Sequence, residues 1–220
     1  MSTRKYLAEL LGTFLFLTIG YASVASFTAA GAPGLLVVPF AFSLGLLAAI
    51  FAVGHISGGH FNPAVTVAMV IDRRTLPMDA VGYIVAQVIG AIGAAALVLA
   101  VAGQASVTAG VTKPGGGVTE VGALILETVL TAAFIAVILA STKRAPRLAP
   151  LAIPLTLVAI HFASAPLTGA SVNPARSLGS ALIGGDLAAL WVYIVAPTVG
   201  AVLGWAIYHV VDGGGEEPLG

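Results

Sequence analysis

The chain has 220 residues, 59% of them hydrophobic and 8% charged, with nine basic residues balancing nine acidic ones. A typical soluble domain is about 25% charged, and a mean hydropathy of +1.06 means more apolar surface than a water-soluble domain of this size can hide. Zero net charge gives no reason to expect a nucleic-acid partner, and the absence of cysteine excludes disulfides, thiolate metal sites and thiol chemistry.

The bilayer is the natural solvent, and a span of it takes about 20 mostly apolar residues. The basic start Met1-Ser2-Thr3-Arg4-Lys5 resembles that of a signal peptide, and Ala29-Ala30-Gly31-Ala32 resembles a cleavage site. The segment is read instead as an uncleaved first span, because the repeat described below needs it. Six spans are predicted, over Tyr6–Phe27, Leu35–His55, Ala80–Ala102, Val121–Ser141, Leu148–Ala165 and Leu187–Val210. Pro63–Ile71, after the second span, and Pro174–Ile183, after the fifth, are about half a span each. Val107–Val118, with Gly115-Gly116-Gly117, reads as a flexible outer loop, and Val211–Gly220 as a short disordered tail.

Both half-helices begin with the same tripeptide, Asn62-Pro63-Ala64 and Asn173-Pro174-Ala175. Asn as N-cap followed by Pro at the first helical position is a strong helix start. Each copy follows a small-residue turn, Ser57-Gly58-Gly59-His60-Phe61 or Thr168-Gly169-Ala170-Ser171-Val172. Two copies in matching contexts point to one polar device built twice inside a membrane protein, and so to a pore. The first spans of the two halves match as well. Glu9 and Thr13 recur as Glu127 and Thr131, each pair one turn apart on one helix face. The chain reads as one transmembrane domain made of two repeats, about residues 1–110 and 111–220.

Positive charge sets orientation. Arg4, Lys5, Arg73, Arg74, Lys143, Arg144 and Arg147 all fall on the cytoplasmic side if the first half-helix enters and leaves there. Lys113 is then the only outer-loop cation, and Arg176 lies within the membrane. Three spans per half make the halves inverted, with both termini cytoplasmic. Inverted repeats put their functional site near the midplane, where broken helices present positive dipole ends.

Several side chains have two readings. Asn62 and Asn173 can cap their helices and still offer the amide NH₂ to a pore. Arg176 either snorkels to the outer interface or serves the site, since an arginine at membrane depth is costly. Glu9 and Glu127 are either a proton relay or acceptors for loop N–H groups, because non-helical backbone at this depth must be satisfied. The second reading suits a symmetric pair. His55 reads as a loop brace and His209 as a membrane-interface residue, while taken alone His161 and Phe42 are ordinary packing residues.

His55-Ile56-Ser57-Gly58-Gly59-His60-Phe61-Asn62-Pro63-Ala64-Val65-Thr66 and Ser171-Val172-Asn173-Pro174-Ala175-Arg176-Ser177 resemble the two pore loops of the aquaporin family, in particular its bacterial water-selective branch. The resemblance spans nearly the whole chain. It implies an all-α membrane protein of six transmembrane helices and two re-entrant half-helices, one pore per subunit and a homotetramer. It further implies a passive water channel of the bacterial inner membrane, with water as permeant, the lipid bilayer as surroundings, and neither catalytic residues, metal nor cofactor.

The narrowest point would comprise Phe42, His161, Ala170 and Arg176. Carbonyls of Gly58, Gly59, His60, Gly169, Ala170 and Ser171 would line the path, with Val53 and Ile160 as candidates for its apolar wall. Phe42, His161, Ser177 and Ala181 fit the water-type pattern. Ala170 stands where the family often has Thr, and Tyr193-Ile194 departs from the usual aromatic followed by Trp. The alternatives are a facilitator for glycerol, ammonia or hydrogen peroxide, and an ion-coupled secondary transporter, for which Glu9 and Glu127 are the only candidate carboxylates.

Overall fold

A computed structural model describes residues 2–31 and 34–213. Among these, six helices are long and apolar enough to cross a membrane: Thr3–Ala29, Val37–Ser57, Pro77–Ala102, Glu120–Arg144, Ala149–Thr168 and Leu190–Asp212. The described residues contain no strand, and the protein is an all-α membrane protein. Two short helices, Pro63–Ile71 and Pro174–Gly184, follow the second and fifth spans. The spans run a few residues beyond the apolar segments because their ends are fixed by local chemistry. Pro77 starts the third, Thr119 caps the fourth, and left-handed glycines end the second and fifth, at Gly58 and Gly169.

The half-helices start as their sequences dictate. Asn62 is extended (φ −160°) and its side chain accepts from Ala64 N. Asn173 is extended (φ −150°) and accepts from Ala175 N and Arg176 N. Proline then occupies a position whose N–H would have had no helical partner. Both half-helices pack against the third and sixth spans.

The spans present Leu44, Phe51, Val85, Ile125, Leu155 and Leu203 outward. Lipid solvates such side chains, while the interior buries small and polar residues beside large apolar ones such as Leu17, Phe61 and Ile135. Close crossings follow. A methyl built on Gly90 would lie 3.1 Å from Thr13 Cβ, and one on Gly200 would lie 2.6 Å from Thr128 O and 2.7 Å from Thr131 Cβ. These glycines bring the third span onto the first and the sixth onto the fourth, within one chain.

The expectation of a flexible outer loop over 107–118 is corrected over 107–112 and at Gly115. Gln104–Ala109 is a short helix, Val107, Val111 and Thr112 are buried, and Gly115 N donates to Leu167 O at 2.7 Å. Glycine marks close packing here, since a side chain on Gly115 would strike the Pro166 carbonyl. The sixth span also continues through Asp212, whose carboxylate takes Lys143 Nζ at 2.8 Å; the rest of the expected tail, 214–220, lies outside the described residues, as does Ala32.

Gly200→Ala should lower stability by about 1–3 kcal/mol through overpacking. Gly93→Ala, whose methyl would sit 3.4 Å from the movable Phe14 ring, should be neutral or gain up to about 1 kcal/mol of helix propensity. Thermal unfolding of the detergent-solubilised variants checks this, and equal effects would mean that Gly200 does not set the crossing.

Candidate functional site

Each loop before a half-helix hangs on one buried carboxylate. Glu9 accepts from Ser57 Oγ (2.6 Å), His60 N (3.0 Å), Phe61 N (2.7 Å) and Gln87 Nε2 (2.7 Å). Glu127 accepts from Thr168 Oγ1 (2.7 Å), Ser171 N (2.9 Å) and Val172 N (2.8 Å). Both glutamates are fully buried. The hydroxyls of Tyr83 and Tyr193 donate to Ser57 O and Thr168 O, each at 2.7 Å. The backbones correspond too, with φ of +47° at Phe61 and +43° at Val172, and of +66° at Gly59 and +49° at Ala170. Ala170 thus takes a left-handed conformation that costs a side chain about 1–2 kcal/mol.

The loops meet at the two asparagines. Asn62 Nδ2 donates to Val172 O at 2.8 Å and Asn173 Nδ2 to Phe61 O at 2.9 Å. Each amide oxygen caps its own half-helix. The expectation that both N–H bonds of each amide stay free is therefore corrected, because one of each pair straps the opposite loop. One remains per amide.

A single cavity of about 260 Å³ touches both asparagines. One end reaches Arg74, Thr75 and Thr142, where Arg74 Nη1 donates to Thr142 Oγ1 at 2.7 Å. The other end reaches Phe42, His161, Ala170 and Arg176. There the rings of Phe42 and His161 stack with centroids 5.1 Å apart, and the Arg176 guanidinium carbon lies 5.2 Å from the Phe42 centroid. Arg176 Nη1 donates to Gly110 O at 3.0 Å and Nη2 to Gly169 O at 3.2 Å, while Nε has no protein partner. His161 Nδ1 pairs with Leu157 O at 2.9 Å. A carbonyl only accepts, so Nδ1 carries the proton and Nε2 of the neutral ring is an acceptor. That nitrogen has no protein partner either. Among the described residues, this end of the cavity therefore holds one buried acceptor and one buried donor without a protein partner.

Gly58, Gly59, His60, Ala170 and Ser171 line the cavity. Gly169 is not among the lining residues, and its carbonyl instead accepts from Arg176 Nη2. Val53 and Ile160 are absent from the wall as well, and Leu46, Ile50, Ile138 and Leu157 supply it. The second helix widens over Ile50–Gly54 into i→i+5 turns, which rotates the face it presents. His55 is exposed, and among the described residues its side chain makes no hydrogen bond that would brace a loop. His209 Nε2 pairs with Asp72 Oδ1 at 2.6 Å.

The sequence reading missed Tyr83, Tyr193, Gln87 and the outer-loop carbonyl of Gly110. The tyrosines carried a signal, since their spacing is within one residue of that between the asparagines.

A family model described as Major intrinsic protein matches residues 1–208. The chain belongs to the major intrinsic protein family. Among curated members, Aquaporin Z of Rhodopseudomonas palustris is 44% identical, over 100% of this chain and 97% of that protein. "Glycerol uptake facilitator protein-like 6" of Lactiplantibacillus plantarum is also 44% identical, over 91% of this chain and 94% of its own length. Among solved structures, the aquaglyceroporin from Plasmodium falciparum superposes with a TM-score of 0.89 at 24% identity, covering 96% of this chain and 97% of that one. This major intrinsic protein therefore has the aquaporin fold.

In this family member, Glu9→Ala would leave two backbone N–H groups, the Ser57 hydroxyl and the Gln87 amide without their acceptor, at about 1–3 kcal/mol for each group that stays unsatisfied. The variant should unfold at a much lower temperature in detergent than Glu9→Gln, which keeps one acceptor oxygen. Equal stability of the two would show that the loop does not hang on this side chain.

Proposed function

We propose that this chain is a passive, water-selective membrane channel, driven by osmotic gradients, that excludes protons and ions. The observation that carries the reading is the continuity of one cavity from Arg74 and Thr142, past both asparagines, to the cluster of Phe42, His161 and Arg176. In this reading those three residues and Ala170 form the selectivity filter. Water entering it exchanges bulk hydrogen bonds for His161 Nε2, the Arg176 guanidinium and the loop carbonyls of Gly58, Gly59, His60, Ala170 and Ser171. The apolar side of the path offers nothing in return, which keeps the water in file.

Proton exclusion follows from fixed charge. Each half-helix N-terminus carries about half a positive charge, and the two face one another across Asn62 and Asn173. The remaining amide N–H bonds donate to the oxygen of a central water, so its hydrogens point away on both sides. Together with Arg176 the helix ends form a positive barrier to hydronium and other cations.

The matching bonds of Glu9 and Glu127 support two inverted halves, about 1–110 and 111–220, around this point. Both carboxylates are spent on loop donors, which leaves neither for a coupling ion and argues against a secondary transporter. The reading involves no enzyme chemistry. It also carries a homotetramer in the bacterial inner membrane, with both termini cytoplasmic.

The rival is a facilitator for small neutral solutes, favoured by the small Ala170 and by the relative named as a glycerol uptake facilitator-like protein. Stopped-flow shrinkage of proteoliposomes separates the two. Water should leave far faster than from bare lipid, with glycerol near background. Shrinkage at the bare-lipid rate with folded protein would sink the channel reading, and rapid glycerol flux would favour the rival.

His161→Gly combined with Phe42→Trp should raise glycerol flux while water still passes. The change removes the ring that fills the space of a carbon backbone and supplies a wider apolar face. Glycerol flux at background in a folded, water-conducting double variant would mean that these residues do not set the size limit.

A further inference from the structure

We propose that Tyr21, in the first span, is a positioning residue for the narrow end of the cavity and fixes how large a solute passes. The proposal rests on the channel reading above. Tyr21 is buried and does not itself line the cavity, yet it touches two of the four filter residues, Phe42 and Arg176. Its hydroxyl donates to the backbone carbonyl of Arg176. Its ring stands edge-on to Phe42, with centroids 6.0 Å apart at 82°, and 6.0 Å from the guanidinium carbon of Arg176. The same ring backs Gly110, where a methyl would lie 3.8 Å from Tyr21 Cδ1, and Gly110 O is the acceptor that holds Arg176 Nη1.

These contacts act on position. The guanidinium can swing only if its backbone, its carbonyl acceptor or the neighbouring Phe42 ring gives way, and Tyr21 opposes all three. The other side-chain donor to the Arg176 carbonyl is Ser180 Oγ at 3.2 Å, from the next turn of the same half-helix. That bond ties the half-helix to itself and does not fix it to the bundle. Among the described residues, Tyr21 alone ties this carbonyl to another span. The role belongs to one half only: at the spacing from Glu9 to Glu127, the position matching Tyr21 is Leu139, a buried residue of the apolar core. An apolar side chain suffices for packing at that place, so a hydroxyl in the first span serves something besides packing.

The test uses the purified full chain in phosphatidylcholine vesicles, with water flux read from shrinkage in sucrose and glycerol flux from reswelling in glycerol. Tyr21→Phe removes one oxygen and no ring. Loss of the net worth of one hydrogen bond should raise the population of displaced Arg176, and with it the glycerol-to-water ratio, about fivefold. Water flux should stay near the parent's. Tyr21→Leu, which also withdraws the ring from Phe42, should raise the ratio further. An unchanged ratio in both variants, with water flux intact, would overturn the proposal. Loss of water flux in Tyr21→Phe would also overturn it, by making Tyr21 a residue of the fold. A parent chain that carries no water overturns the channel reading on which this one stands, which is a separate and visible failure.

Discussion

Two stretches of non-helical backbone run at membrane depth, and the rest of the site depends on how their polar groups are satisfied. An unpaired N–H in hydrocarbon costs several kcal/mol, and water cannot be admitted to every one without flooding the protein. Glu9 and Glu127 solve this with one side chain per loop, because a carboxylate is all acceptor and can serve several donors at once. Each takes two successive backbone N–H groups and a hydroxyl that in turn accepts from a third, Gly59 N or Ala170 N. With the N–H groups drawn to the protein side, carbonyls of the same loops remain for the cavity. Donor satisfaction outside and acceptor display inside are thus one arrangement. The tyrosines refine it by taking only the carbonyls of Ser57 and Thr168, next to the glycines that end each span.

The asparagines then lock the loops to each other. Each spends its oxygen on its own helix and one N–H on the opposite loop, so neither loop can shift without breaking bonds in both. A guanidinium placed on such a frame can be held by two carbonyls, those of Gly110 and Gly169, and leave its Nε unengaged among the described residues. Arg176 is tolerable at this depth because these contacts replace much of its hydration. The Gly110 carbonyl comes from the outer segment whose glycines suggested looseness; its order and the position of the arginine are mutual.

What the sequence made legible were features that are local or repeated. Asn before Pro states a helix start by itself, and its recurrence after a like glycine turn states the pairing. The Glu9 and Glu127 pair was legible because membrane spans hold few carboxylates, so two at matching places stand out. Tyr83 and Tyr193 were harder to single out, since aromatics are common in spans and a matching spacing alone does not give their hydroxyl partners. The facing of Val53 was lost because a count at 3.6 residues per turn does not foresee the wide turns over Ile50–Gly54. The outer segment was misread because glycine serves both mobile chain and tight contact, and only the neighbour at Gly115, the Pro166 carbonyl, tells which.

In the proposed channel reading, the repeat bears on where selectivity would lie. Counted at the spacing of the two asparagines, Phe42 corresponds to Ile153, His161 to Ile50, Arg176 to Val65 and Ala170 to Gly59. Every one of these partners lines the same cavity. At equivalent places of the repeat the chain therefore lines one cavity with two sets of residues, and fills them differently. One carries an aromatic, an imidazole and a cation; the other carries three aliphatic side chains and a glycine. Bracing, capping and strapping are duplicated because backbone at membrane depth has the same needs wherever it occurs. Discrimination between permeants needs polar groups in a narrow place once, and a second such set would add desolvation cost to every molecule that passes. The symmetric part of the structure holds the path open, and the part where the halves diverge is where a permeant can be judged.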